Sequence, residues 1–277
     1  MKQVSFFEIT ITMILLLFIT FFCVVSLRLG SDFAVIIFDF LLLVYLPFLL
    51  KKHHVSLSFF LPEKEKERRE KGLGQFPYVF LSLILAIIGV KSIGFHLLSG
   101  LDNDEALLYF NEMADTQQHT VWYLILSMLL APLVEELFFR GILTNKLARS
   151  MNIKAALLIS VLVFSIAHLR PDPFLILGGL FLNIVYIKTQ SLLYPIVFHS
   201  LNNLFCASFN IIFIEQPGAF RFVERMRTLP DFYVWLIYLL TFGLLIYPLV
   251  VLFIWVFKKK YTLSDRGRIV MAEQVSE

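Results

Sequence analysis

The sequence predicts an all-α, polytopic membrane protein with about eight transmembrane helices. Of the 277 residues, 58% are hydrophobic and only 16% are charged, whereas a soluble domain is about 45–50% apolar and about 25% charged. The mean hydropathy is +0.80. The apolar residues also fall into separate runs close to the roughly 20 residues that a helix needs to cross the hydrocarbon core. These three observations indicate a membrane protein rather than a soluble domain.

Each apolar run is a candidate helix, and the eight candidates cover 5–27, 33–50, 76–99, 120–147, 153–169, 173–189, 191–213 and 232–257. Pro171 and Pro173 separate the fifth from the sixth, because proline interrupts a helix. A short turn near Ser191 separates the sixth from the seventh. The first run follows Lys2 as in a signal peptide, but it exceeds the usual roughly 7–15-residue apolar region and lacks a small-residue cleavage site. We therefore interpret it as the first transmembrane helix.

The basic residues predict the orientation of these helices. Most of the 24 Lys and Arg residues lie at the two termini and in every second loop. Cytoplasmic loops of membrane proteins are enriched in Lys and Arg, so both termini are expected in the cytoplasm, with the helices in a bacterial plasma membrane. A formal net charge of +3 gives no indication of nucleic-acid binding. The expected surroundings are the lipid bilayer.

The remaining pattern predicts a single membrane domain over residues 1–277, without an internal repeat. The inner loop 51–75 contains a mixed-sign charge run at 63–71 that predicts a solvated helix. The acidic outer loop at 101–105 is also interpreted as solvated. Cys23 and Cys206 lie in apolar runs, so we interpret them as small hydrophobic residues rather than as a disulfide or metal framework.

Three charged residues lie together on the fourth candidate helix: Glu135, Glu136 and Arg140. Ionisable side chains in a membrane segment are costly and usually functional. Glu136 and Arg140 are four residues apart and can form an ion pair on one helix face. Glu135 projects about 100° away and is left as the reactive carboxylate, suited to deprotonate a water molecule as a general base. The alternative is that all three residues form one structural charge network.

Two histidines on later helices could complete a site with Glu135. His168 ends the fifth run, one turn after Phe164, whose ring can stack on the imidazole. His199 and Asn203 repeat the four-residue spacing, so their donor groups can converge on an oxyanion. From the helix rise of about 1.5 Å per residue, Glu135 and His168 reach a similar depth of roughly 20 Å from the inner face.

Other polar and aromatic residues in these runs have simpler interpretations. Asn183 and Asn202 are expected to form hydrogen bonds between helices. Phe138, Phe139 and Phe198 are most simply packing or lipid contacts, with a substrate groove as the alternative.

Three motifs thus stand in order on successive apolar helices: Glu-Glu-x-x-x-Arg at 135–140, Phe-x-x-x-His at 164–168 and His-x-x-x-Asn at 199–203. They resemble the motifs of the CPBP family of intramembrane glutamic endopeptidases, also called the ABI or CAAX-processing protease family. All three motifs are complete. The resemblance covers a catalytic core at 120–213, whereas the first three helices and the last are similar to the family only in being hydrophobic.

The resemblance implies a metal-independent endopeptidase with no cofactor and an active-site cavity inside the membrane. Glu135 and His168 would activate the attacking water, while His199 and Asn203 would stabilise the oxyanion. The residues implied to support this site are Glu136, Arg140 and Phe164. The eukaryotic branch removes the last three residues from prenylated proteins, whereas many bacterial relatives are linked to bacteriocin self-immunity or peptide maturation. The expected partner is a peptide or protein substrate, lipidated or not.

Two other functions stay open. One Glu and two His could supply three zinc ligands, although the His-Glu-x-x-His motif is absent and Arg140 would bring a cation close to the metal. A non-catalytic immunity or scaffolding protein, or a transporter, could use the same polar core. Further charges at Glu8, Asp39 and Lys91 keep that third class open, although the internal symmetry usual in a transporter is absent. Asp39 and Lys91 are interpreted as a structural ion pair between the second and third helices.

Overall fold

The computed structural model describes residues 6–27, 31–52, 74–98, 126–168, 172–209, 225, 228–263 and 268–271. This part of the chain is mostly helical. The long helices are α1 (Phe6–Leu27), α2 (Ser31–Lys52), α3 (Phe76–Leu98), α6 (Ile153–Ala167), α7 (Pro173–Thr189), α8 (Leu193–Phe209) and α9 (Asp231–Phe253). Between α3 and α6, short helices α4 (Ala131–Glu136) and α5 (Asn145–Ser150) alternate with π-helices π1 (Leu126–Leu130) and π2 (Leu137–Thr144). A third π-helix, π3 (Ile254–Lys258), follows α9.

The helices occupy the segments that the apolar runs predict, with ends that agree within a few residues wherever those ends are described. Two of them, Phe76–Gly94 and Asp231–Lys258, are long and apolar enough to cross a membrane, and Ile14–Leu27, Ile153–Ala167 and Pro173–Thr189 are shorter apolar helices. Eight membrane spans therefore stay a prediction. The charged run at 63–71 and the acidic loop at 101–105 lie outside the described residues. Cys23 and Cys206 are not joined in a disulfide.

The fourth predicted helix differs from a single α-helix. Residues 126–150 are continuously helical, but two stretches widen into π-helix on either side of α4. Single π turns inside α-helices are rare and often mark functional sites. In π2 the widened turn is held by side chains, because the Thr144 hydroxyl donates to the Phe139 carbonyl at 2.8 Å and the Asn145 amide donates to the Arg140 carbonyl at 3.0 Å.

The described helices divide between two compact units, and the first contains residues 1–74, 125–200 and 252–277. Its apolar core joins α1, α2, the 126–150 run, α6 and α7. Buried members of this core include Leu42, Phe138, Phe139, Leu157 and Tyr186. At one end of α1 and α2, the Lys52 ammonium pairs with the Glu8 carboxylate at 2.8 Å.

The second unit contains residues 75–124 and 201–251. Within it, α3 and α9 approach closely at Gly89, where a Cβ would collide with the side chain of Thr241. Small residues at such positions let helices in membranes pack backbone against backbone. The Ser82 hydroxyl donates to the Leu244 carbonyl at 2.6 Å and adds a hydrogen bond to the same contact.

A β-hairpin near the C-terminus departs from the all-α prediction. Strands β1 (Tyr261–Leu263) and β2 (Ile269–Met271) pair antiparallel, with Thr262 opposite Val270. Ile269 is fully buried, and its backbone N–H donates to the Asn145 side chain at 3.1 Å. The Gln190 amide donates to the Ile269 carbonyl at 2.8 Å. Three-residue strands carry little sequence signal, so helix periodicity does not detect them.

Buried polar side chains connect the helices of the first unit. Asn183 on α7 forms the expected bonds between helices, because it accepts from Thr144 at 3.2 Å and donates to Ser160 on α6 at 3.2 Å. Asn145 lies 3.1 Å from the Tyr186 hydroxyl of α7 as well as bonding the hairpin. Each buried group thus has partners on two or more elements, which fixes the relative positions of these elements.

The contacts of Asn145 predict a large effect on stability. Asn145→Ala leaves the buried N–H of Ile269 without its acceptor, so we expect a loss of about 1–3 kcal/mol in the free energy of unfolding. Thermal or denaturant unfolding of the purified protein in detergent measures this change. Ser150→Ala, at an exposed position on the same helix α5, is the control and should stay within about 0.5 kcal/mol of wild type. Equal stabilities of the two variants would contradict the prediction.

Candidate active site

The acidic motif lies where α4 meets π2, and it is buried. Glu135 and Glu136 are 3% and 0% exposed, and Arg140 is 1% exposed. The expected pair is present, since Arg140 Nη1 donates to Glu136 Oε1 at 2.9 Å. Arg140 Nη2 also donates to the Gly179 carbonyl of α7 at 3.3 Å. Charge-assisted hydrogen bonds to a buried carboxylate hold the guanidinium in one position.

Glu136 also holds a histidine, a contact that helix spacing alone did not predict. His199 Nδ1 on α8 lies 2.8 Å from Glu136 Oε1. An ionised carboxylate only accepts hydrogen bonds, so the proton of this contact belongs to Nδ1. The same oxygen thus receives Arg140 and His199, and it fixes the direction of the imidazole.

His168 is held from its own helix. Its Nδ1 lies 2.9 Å from the Phe164 carbonyl, at the C-terminus of α6. A backbone carbonyl is also only an acceptor, so Nδ1 carries the proton of this bond. In a neutral ring the lone pair then lies on Nε2, which is available as a base. The His168 side chain is 19% exposed, the most accessible of the polar groups in this cluster.

The ring of Phe164 packs against several of these residues, as its four-residue spacing from His168 suggests. The ring centroids of Phe164 lie 4.5 Å from His168 and 6.0 Å from His199. The Arg140 guanidinium carbon lies 4.5 Å from the same centroid, a cation–π contact. Phe139 packs edge-on against Phe164 at 5.1 Å. One ring of Phe164 therefore contacts Arg140, His168 and His199.

Glu135 lies between the two histidines. Its Oε2 is 3.9 Å from His168 Nε2 and 3.8 Å from His199 Nε2. These separations are too long for direct hydrogen bonds but suit two groups bridged by a small molecule. Glu135 Oε2 is buried and has no hydrogen-bond partner among the described residues. Its lone pairs are thus available for chemistry.

A fourth helix adds a carboxyl group that the motifs do not include. Asp39 on α2 is 4% exposed, and its carboxyl group lies within hydrogen-bonding reach of that of Glu135. The sequence marks Asp39 as unusual because it is a charged residue in an apolar run. Its contact with Glu135 could not be predicted, because spacing within one helix says nothing about contacts between distant segments.

Asn203 lies one turn beyond His199 on α8 and is half-buried. It falls in the second compact unit, so its part in the site stays a prediction. The zinc alternative gains no support from geometry, because among the described residues no three His, Cys, Asp or Glu side chains are arranged to hold a metal ion.

Comparison with known families adds one finding. Residues 117–205 match the family model described as type II CAAX prenyl endopeptidase, Rce1-like. The matched segment contains all three motifs, and the match is consistent with the resemblance to the CPBP family. It supports a protease function for the chain. No curated protein and no solved structure matches the chain.

The burial of Glu136 predicts that the stability of the fold depends strongly on Arg140, the cation paired with it. Arg140→Met removes the partner but leaves the carboxylate buried, so we expect the free energy of unfolding to fall by about 3–5 kcal/mol. The double variant Glu136→Gln with Arg140→Met should lose less than the sum of the single changes, because the uncompensated charge is gone. Thermal unfolding of all three variants measures the coupling. Strictly additive losses would show that the pair is not coupled.

Proposed function

We propose that the protein is an intramembrane, metal-independent endopeptidase that cleaves a peptide bond with water activated by Glu135 and His168. The observation that carries this proposal is the 3.9 Å separation between Glu135 Oε2 and His168 Nε2. Both atoms are acceptors when His168 is neutral, and a water molecule between them can donate one hydrogen to each. Its oxygen lone pairs then face away from both groups, toward a substrate carbonyl.

In the first step the water oxygen bonds to the carbonyl carbon of the scissile peptide, while one water proton passes to Glu135. The carbonyl oxygen becomes an oxyanion in a tetrahedral intermediate. In the second step this proton passes to the peptide nitrogen, the C–N bond breaks, and a carboxylic acid and an amine leave. General base catalysis of this kind typically contributes about 10²–10⁴-fold to the rate.

His199 and Asn203 supply the donors for the oxyanion in this mechanism. Because His199 Nδ1–H is committed to Glu136, Nε2 can donate only when the ring is an imidazolium. Glu136 and Arg140 already form a neutral pair, so a cationic His199 balances the charge of Glu135. Donors preorganised at the developing charge are typically worth about 10²–10³ in rate.

The substrate class we propose is a prenylated protein bearing a C-terminal CAAX sequence, as the description of the matched family suggests. His168 is the most exposed side chain of the cluster, so in this proposal the peptide approaches from the side of His168. Maturation of a bacteriocin-related peptide is the second candidate, and its support is the resemblance to the CPBP family.

Conservative variants test the catalytic assignment. Glu135→Gln and His168→Gln should each reduce cleavage by about 10²–10⁴-fold, because an amide is too weak a base to take up a water proton. The assay uses purified protein in lipid vesicles and a fluorogenic farnesylated CAAX peptide. Glu8→Gln is the matched control, since Glu8 pairs with Lys52 at one end of α1 and α2 and should keep the wild-type rate. Wild-type activity in Glu135→Gln, with unfolding temperatures unchanged, would refute the mechanism.

Chelation separates this mechanism from the zinc alternative. Treatment with a strong chelator, followed by elemental analysis, should leave both the cleavage rate and the unfolding temperature unchanged. Loss of activity that returns with added Zn²⁺ would favour a metal enzyme. If cellular protection against a bacteriocin survived Glu135→Gln and His168→Gln, the protein would act there as a non-catalytic immunity protein.

The prenyl group provides a test of substrate class. The farnesylated peptide should be cleaved with a kcat/KM at least about 10-fold above that of the same peptide without the lipid, because the apolar chain adds binding energy of about 0.8 kcal/mol for each buried CH₂. Equal values for the two peptides would favour maturation of an unmodified peptide.

A further inference from the structure

The carboxyl pair formed by Asp39 and Glu135 carries an inference that rests on the proposed function. Asp39 lies on α2 and Glu135 on α4, almost 100 residues apart in sequence, and both are nearly inaccessible. α2 packs directly against α4, and the two carboxyl groups lie within hydrogen-bonding reach of each other. Asp39 Oδ1 and Glu135 Oε2 have no hydrogen-bond partner among the described residues. Two carboxylates in contact repel strongly, so a buried pair of this kind keeps one proton.

The charges around Asp39 and Glu135 also indicate that the two carboxyl groups hold one proton between them. Glu136 is neutralised by Arg140, and the histidines that face Glu135 are His168 and His199. His168 is neutral in the proposed mechanism, which leaves His199 as one cation for two further carboxyl groups. On α1, which also packs against α2, Glu8 is already paired with Lys52. The site is electrically balanced when Asp39 and Glu135 share one proton.

We propose that Asp39 is a positioning residue that holds this proton and donates it in a hydrogen bond to the Glu135 carboxylate. The bond directs Glu135 Oε2 toward His168 and His199. During catalysis the Asp39 proton stays in place, while the water proton passes to Glu135 and then to the leaving amine. Asp39 thus acts through Glu135 and does not contact the substrate.

The pH profile of kcat separates this role from simple packing. A donor hydrogen bond favours the charged form of a carboxylate, so its removal moves the acid limb of the profile to higher pH. Asp39→Asn keeps a weaker N–H donor and should give a small upward shift, with the plateau rate within a few fold of wild type. Asp39→Leu has no donor and should move the limb by about one pH unit or more. In both variants KM should stay unchanged.

Thr20→Val is the matched control, because Thr20 is a buried polar residue of α1 whose hydroxyl oxygen has no hydrogen-bond partner among the described residues. It should leave the pH profile unchanged. If Asp39→Leu lowers the plateau rate but the acid limb stays at the wild-type pH, Asp39 is only a packing residue and the proposal is overturned.

Infrared spectroscopy of the protein in lipid vesicles tests the shared proton without any substrate. At neutral pH the wild type and Thr20→Val should show the C=O stretch of one protonated carboxyl group that is missing in Asp39→Asn. An unchanged band in Asp39→Asn would overturn the proposal. Glu135→Gln separates the two hypotheses: full activity in this variant rejects the proposed function, whereas an inactive Glu135→Gln with an unshifted Asp39→Leu profile rejects only the role of Asp39.

Discussion

The carboxylate of Glu136 is the constraint on which the arrangement of the site depends. One of its oxygens receives both the Arg140 guanidinium and the imidazole of His199. A fully buried carboxylate would be very unfavourable alone, so these two donors and the groups that hold them must be in place for the fold to form. Arg140 in turn contacts the Gly179 carbonyl and the Phe164 ring. Three helices are therefore held relative to the carboxylate, and Glu135 next to it stays outside the Glu136–Arg140 ion pair.

The local backbone explains how neighbouring glutamates come to have different surroundings. Glu136 ends α4 and Arg140 lies in the wider π2 helix, whose carbonyls bind the side chains of Thr144 and Asn145. These polar side chains continue into bonds with Ser160, Asn183 and Tyr186. The π turns and the polar contacts form one connected structure, and the catalytic geometry of our proposal relies on the rigidity of that structure.

Much of this organisation can be predicted from the sequence, and there is a physical reason why the other features cannot. Apolar runs locate the helices because a helix needs about 20 apolar residues to cross the hydrocarbon core. Spacing of four residues predicts the Glu136–Arg140 pair and the Phe164–His168 stack, since both are contacts within one helix. Contacts between helices, such as His199 with Glu136 and Asp39 with Glu135, depend on packing that no single segment encodes. The β-hairpin and the π turns are not predicted because their sequence signals are only a few residues long. The number of membrane spans depends on the surrounding lipid as well as on the chain.

The hydrogen bond from the Ile269 backbone to Asn145 has a consequence for biosynthesis. The two residues are 124 positions apart, so the ribosome finishes the helices of the site well before it adds the strand that satisfies Asn145. Membrane insertion can place those helices early, but the buried Asn145 side chain gains this partner only when strand β2 has been made. In the predicted topology this strand lies on the cytoplasmic side. The scaffold is therefore completed only after residue 269 has been made, and the helices of the site lack this hydrogen bond until then.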